Sequence, residues 1–235
     1  MWRRMKPIKK RSVESQTTDA VRAEIVSGRF SPGERLTEMQ LASQLIVSRA
    51  TVRTALHHLT SEGLVVQVPY TGWAVASLTP TDAWELFTLR ASLEGLAARL
   101  AAARLDDKGR AELQAAFDRL CDAAQKGTAN ATAEADFGFH QAIVHVSGHR
   151  RLAQQYRLVG QQVRQSIASS NALLPDLRTV IEQHEPITRA ILTNRQKQAA
   201  RLSEEHAQTE GEKLAEYLQQ QSRKTGTANG RRAKA

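Results

Sequence analysis

The stretch from Glu38 to Glu62, which runs MQLASQLIVSRATVRTALHHLTSE from Met39 onward, constrains the fold more than any other part of the chain. It divides into two short helical patterns joined by a tight connection. In the second, Val52, Leu56 and Leu59 recur at i, i+4 and i+7 and define an apolar stripe, while Arg49 and Arg53 fall together on another face. Leu41 and Leu45 give the first helix a matching stripe. Ile46, Val47 and Ser48 form the connection, with Val47 expected as an apolar plug and Ser48 as an N-cap whose oxygen takes a free backbone N–H. The pattern is helix-turn-helix, and the basic face of its second helix suits a DNA groove.

The flanks extend it. A helix is expected from about Ser15 to Ser27, ended by Gly28; Ser31-Pro32-Gly33 is a turn signal, and Thr37 with Gln40 resembles a capping box. After Gly63, Val65 to Val68 and Trp73 to Val75 read as two strands around Pro69-Tyr70-Thr71-Gly72. Three helices followed by a hairpin is the order of a winged helix, whose third helix enters the major groove while the hairpin tip meets the minor groove or the phosphates. The residues expected at DNA are therefore Ser48, Arg49, Ala50, Thr51 and Arg53 on the helix and Tyr70, Thr71 and Gly72 on the wing. The arginines suit phosphates or guanine edges, and the small residues let the helix approach. The plainer readings are a solvated helix face and a glycine required only by its turn.

Charge agrees with this division. Residues 1–78 hold 11 Lys/Arg against 6 Asp/Glu, residues 79–220 hold 17 against 18, and residues 221–235 hold 5 against none. The net charge of +9 thus sits at the ends, and the balanced middle has no electrostatic reason to touch nucleic acid. No apolar run approaches the roughly 18 to 20 residues that span a bilayer. The basic start passes into Glu14 without the apolar segment of a secretory signal, and the lone Cys121 excludes an internal disulfide framework, so the cytoplasm is the expected location.

Three segments follow: a DNA-binding domain over 1–78, a helical domain over 79–222, and a disordered basic tail over 223–235. The fold class is mainly α, with one small hairpin and an antiparallel helical bundle. Trp84, Leu86, Phe87, Leu93, Leu96 and Ala97 mark the bundle's first helix, to about Arg104; Leu113, Phe117, Leu120 and Ala124 mark the second. Further helices are expected over about Ala133 to Val146, Arg151 to Ser169, Ile181 to Thr193 and Gln196 to Gln220, the last two as an antiparallel hairpin.

Within the bundle, Asp136 and His140 lie four residues apart, so their side chains project within about 40° of each other and can share one metal ion. His184 and His206 sit on the expected hairpin, which can bring both to the same interior point. Three imidazoles and a carboxylate suit a borderline divalent cation such as zinc, nickel or manganese, with positions left for water or a ligand oxygen. The alternative is four unrelated polar residues. His145 and His149 are turned off the face of His140 and read as peripheral.

The residues now resemble a known family over nearly the whole chain. IVSGRFSPGERLTEMQLASQLIVSRATVRTALHHLTSEGLV and VPYTGWAV resemble the GntR winged-helix repressors; LFTLRASLEGLAARLA, DFGFH, QHEPITRAIL and EEH resemble the FadR-type helical effector domain, also called FCD. The resemblance implies that Asp136, His140, His184 and His206 hold a divalent metal, and that Arg90 lines an effector cavity, although an i, i+4 ion pair with Glu94 explains Arg90 equally well. Ala50, Thr51 and Thr54 depart from the Thr-Pro and Glu common in the family, so base preference is expected to differ. His149 stands where Asn is frequent, as a helix cap or beside the metal site. The resemblance implies a homodimeric transcription factor, a repressor by expectation, reading operator DNA and released by a small carboxylate effector. A metal-free regulator with an acyl ligand, or a DNA-tethered metallohydrolase, are the alternatives.

Overall fold

A computed structural model of the protein describes residues 11–232, with side chains through residue 221. The sequence alone also suggests a flexible start over residues 1–12, all of which but Arg11 and Ser12 lies outside the described residues. Contacts divide the chain into two compact units, one to Ser77 and one from Leu78.

The first unit is α1 (Val13–Val26), β1 (Arg35–Leu36), α2 (Glu38–Leu45), α3 (Arg49–Ser61), β2 (Val65–Val68) and β3 (Gly72–Val75). Side-chain oxygens cap the starts of three helices: Ser12 for α1, Thr37 for α2 and Ser48 for α3. Val21, Leu41, Val52, Leu56, Leu59 and Trp73 meet in one core. The sheet is antiparallel in the order β1-β3-β2, with Val65 opposite Val75 and Leu36 opposite Trp73. Strand β1 is absent from the sequence reading because two residues are too few to show an alternation, and only its pairing with β3 defines it. Val47 packs partly into the core as a plug, whereas Ile46 points into solvent.

The second unit is α4 (Pro80–Arg104), α5 (Asp107–Lys126), α6 (Ala129–Val146), α7 (Arg150–Asn171), α8 (Arg178–Leu192) and α9 (Gln196–Arg232). A full capping box between Thr79 and Asp82 starts α4. Helices α4 and α9 run antiparallel and very close, with Gly95 against Glu204 and Gly211 against Phe87. The core between the remaining helices gathers Leu113, Leu120, Ile143, Val163, Ile187 and Ile191.

Two expectations need correction. Trp84 does not share the buried face of α4: Ala83 and Phe87, four residues apart, hold that face, and Trp84 is 62% exposed. The basic tail expected to be disordered from residue 223 has helical backbone through Arg232. It contains no proline, and extending an existing helix adds one hydrogen bond per residue without a new nucleus.

Candidate DNA-reading and metal-binding sites

The helix-turn-helix places Arg49 and Arg53 on the exposed side of α3, their side chains 66% and 55% exposed. Neither lies in open solvent alone. Glu38, the first residue of α2, forks onto Arg53: Oε1 accepts from Nε and Oε2 from Nη2, both at 2.8 Å. The same Oε1 accepts from Trp73 Nε1 on β3 at 3.3 Å, and Arg49 Nη2 stands 3.7 Å from Oε2. Desolvation opposes the charge of Glu38, but the hydrogen bonds from Arg53, the strongest influence on it, draw its pKa down to about 2. Behind this network the ring of His57 meets Trp73 edge-on at 4.7 Å.

Ser48 Oγ is engaged in capping, accepting from Thr51 N at 3.1 Å and contacting Thr51 Oγ1 at 2.9 Å. Ala50 is exposed and Thr54 Oγ1 bonds back to its carbonyl at 3.1 Å. On the wing, Thr71 N donates to Val68 O at 3.1 Å, with Pro69 second in the turn and Tyr70 third at φ 63°. That is the pattern of a type II turn, which usually places glycine where Tyr70 stands. Tyr70 is fully exposed at the tip, and Gly72 follows at φ 106°.

In the second unit, Asp136 and His140 on α6, His184 on α8 and His206 on α9 do come together. The His184 and His206 rings lie 4.4 Å apart, and His140 stands 5.1 Å and 5.4 Å from them. His140 Nε2, His184 Nε2 and Asp136 Oδ1 converge at 3.1 to 3.2 Å from one another. One ring nitrogen from each of His140, His184 and His206 lies within 4.8 Å of the other two.

Each of these inner groups is held from behind. His184 Nδ1 donates to the Val180 carbonyl at 2.6 Å, which fixes the tautomer and leaves Nε2 with its lone pair. His140 Nδ1 faces Glu94 Oε2 at 3.0 Å, and Asn171 Nδ2 donates to Asp136 Oδ2 at 2.9 Å. Asp136 Oδ1 is buried with no hydrogen-bond donor. Three acceptor atoms aimed at one point, one of them an orphaned carboxylate oxygen, fit a cation. Burial opposes ionisation of Asp136, yet the neighbouring imidazoles of His184 and His140 outweigh it and hold its carboxyl well below the usual range. Burial, reinforced by the Arg90 guanidinium, holds His206 well below the usual histidine range, so it stays neutral and able to coordinate.

Arg90 is 1% exposed and forms the expected ion pair with Glu94, Nε to Oε1 at 2.8 Å. It also donates from Nη2 to His140 Nε2 at 2.8 Å. Glu94 in turn accepts from Tyr156 Oη at 2.7 Å. His149 Nδ1 caps α7 by accepting from Leu152 N at 3.1 Å, and His145 sits at the surface beside Glu112.

Residues 14–75 match the family described as bacterial regulatory proteins, gntR family, and residues 85–209 match the FCD domain. The chain is a GntR-family regulator with an FCD domain. A curated relative from Paenarthrobacter nicotinovorans, the "Probable D-xylose utilization operon transcriptional repressor", is 31% identical over 186 residues, covering 79% of this chain and 81% of the relative. The "HTH-type transcriptional repressor GlaR" of Escherichia coli (strain K12) is 30% identical over 204 residues, covering 79% and 88%. The solved structure of E. coli McbR/YncC shares the fold, with a TM-score of 0.74 at 23% identity over 88% of this chain and 99% of that one. The GntR domain makes this protein a DNA-binding transcriptional regulator. No helix among the described residues is long and apolar enough to cross a membrane.

Sequence reasoning named Glu94 only as a partner for Arg90, and it missed Glu38, Asn171, Trp73 and Tyr156 as parts of the two sites. The signal for Glu38 was available: an acid at the first position of α2, opposite an arginine-bearing helix. Nothing local pointed to Asn171, whose partner lies 35 residues away.

Proposed function

We propose that this regulator is a homodimeric repressor of the FadR type, whose FCD domain takes a divalent metal and a small carboxylate effector and thereby controls operator binding. The observation that carries this is the convergence of Asp136 Oδ1, His140 Nε2 and His184 Nε2 with an orphaned, buried oxygen among them. His206 completes the set. Zinc, nickel or manganese suits three imidazoles and one carboxylate, and such an ion would supply open coordination positions to a carboxylate ligand.

The chain's own residues do the rest. Glu94 offsets the charge of Arg90, so Asp136 contributes the remaining formal negative charge of the group. Arg90 occupies the lone pair of His140, and that bond must yield when His140 coordinates. The freed guanidinium then faces an anionic effector, which is how Arg90 serves effector binding despite its burial. Two winged helices in a dimer read a pseudo-palindromic site, with Arg49, Arg53 and the Tyr70 tip at the DNA. Effector binding shifts the population between arrangements that hold the winged helices differently.

The test combines metal analysis with DNA release. The protein as purified is assayed for metal, and a duplex enriched from a random pool is challenged with a panel of small carboxylates, with and without chelator. Release that needs both metal and a carboxylate supports the reading. Metal-free protein that gains no stability from any of the three ions, or release by acyl ligands alone in chelator, sinks it.

A further inference from the structure

The network around Glu38 is not explained by the fold of the helix-turn-helix. Glu38 is the first residue of α2, and its side chain is only 14% exposed, yet it spends both oxygens on groups from two other elements. Arg53 on α3 is gripped through Nε and Nη2, and Trp73 on β3 through its indole N–H. Helix α3 itself carries no acidic residue. Glu38 is therefore the only carboxylate within ion-pair distance of Arg49 or Arg53 among the described residues.

A guanidinium has five N–H donors, and the fork occupies the Nε–Nη2 edge. The Nη1–Nη2 end remains, pointing as the fork directs it. An arginine left free on a helix surface samples many rotamers and must be ordered when it binds, a cost that falls when its plane is already fixed. Pairing also weakens the attraction of this side of α3 for phosphates, because Glu38 offsets one of its two positive charges. Arg49, at 3.7 Å, is within ion-pair distance of Glu38 but outside hydrogen-bond range, so Glu38 takes up none of its donors. The two arginines thus have different chemistry despite their shared face.

We propose that Glu38 is a specificity-determining residue: it presents Arg53 end-on to a base edge and suppresses indiscriminate phosphate binding, leaving Arg49 to the backbone. The proposal rests on the sequence-reading role of α3 and is independent of the metal site. Loss of the fork has opposite effects on the two kinds of DNA. Specific affinity falls because Arg53 must be ordered on binding, and non-specific affinity rises because a cation is released to the phosphates.

The full-length protein is used to enrich a duplex from a random pool, and affinities for that duplex and a shuffled one are measured over a range of salt. Glu38→Gln keeps the shape and a hydrogen bond to Trp73 but cannot fork. The specific-to-shuffled ratio is expected to drop at least tenfold, the salt slope on shuffled DNA to steepen by about one, and a repeated selection to relax at the bases read by Arg53. Arg53→Lys, which keeps the charge and lacks the fork, should lower the ratio similarly, and adding Glu38→Gln to it should change the ratio less than twofold. Thermal melting accompanies each variant; if Glu38→Gln does not fold, Glu38→Asp, which keeps the charge but is one methylene too short to hold the fork, is measured in its place, with the same fall in ratio expected and an unchanged ratio overturning the proposal. A purely structural role for Glu38 predicts lower stability with an unchanged ratio and unchanged selected bases, which would overturn the proposal. Independent, multiplying effects of the two substitutions would also overturn it. Failure of the wild-type protein to enrich any sequence would instead overturn the DNA-reading role beneath it.

Discussion

Glu94 holds Arg90, His140 and Tyr156 at once, on three different helices, with a side chain that is almost wholly buried. Burial alone would raise its pKa, but Arg90 and His140 outweigh that and keep it ionised. Its link to His140 Nδ1 orients the ring and leaves Nε2 as the nitrogen that would coordinate an ion. Losing such a support typically costs 10- to 100-fold in metal affinity, so Glu94→Gln should weaken zinc binding by roughly that factor. Titration against a competing chelator reads it, and wild-type affinity in a folded Glu94→Gln protein would show that the support is not needed. Ile46 makes a contrasting case. It is 91% exposed and sits at φ 54°, a left-handed conformation in which a β-branched residue clashes with its own backbone. That strain costs roughly 1–2 kcal/mol and exceeds the roughly 0.5–1 kcal/mol of extra entropy that glycine loses on folding. Ile46→Gly should therefore stabilise the first unit by about 1 kcal/mol in chemical denaturation; an unchanged or lower midpoint would mean that the isoleucine is not strained there.

Close approach of α4 and α9 is the feature of the elements that most directly governs the proposed metal site, since Arg90 and Glu94 lie on one and His206 on the other. Two glycines permit it in different ways. A Cβ on Gly211 would stand 2.4 Å from Phe87 Cβ, an atom tied to its backbone, whereas a Cβ on Gly95 would meet only the side chain of exposed Glu204. Alanine in a helix gains about 1 kcal/mol over glycine, and overpacking against a fixed neighbour costs about 1–3 kcal/mol. Gly211→Ala should thus lower the melting temperature and Gly95→Ala should not; equal effects in melting curves would refute the difference in approach. This contrast marks what the sequence could tell. Helical periodicity placed the elements, and the spacing of Asp136 and His140 put both on one face of α6, because such relations repeat along a single helix. Which helix packs against which face depends on tertiary contacts without a local period. Hence Glu94 was visible as a neighbour of Arg90 but not of His140, Asn171 was invisible, and the two-residue β1 had no pattern to show. On the proposed DNA-facing surface the exposed position of the arginines was legible from their register on α3, and the fork from Glu38 on α2 was not.

At the scale of the whole molecule, the two compact units have separate cores, one around Leu56 and Trp73 and one around Leu113 and Ile143. The proposed metal ligands all belong to the second. A ligand that binds only the folded state stabilises by RT ln(1 + [L]/Kd), about 2.7 kcal/mol at a hundredfold excess over Kd. For a unit of this size, at roughly 2–4 °C per kcal/mol, that is a rise of about 5–10 °C. Calorimetry of the full chain should show saturating zinc, nickel or manganese raising the transition of the helical unit while the winged-helix unit melts where it did before. Chelator should reverse the shift, and His184→Ala should abolish it, because that substitution removes one of the three converging acceptors and leaves Asp136 Oδ1 facing a single imidazole at that distance. A shift that persists in His184→Ala would place the ion elsewhere on the chain. If both transitions rise together in the wild type, the energy of binding is shared between the units, and the route from metal to DNA begins with stability rather than with a change of arrangement.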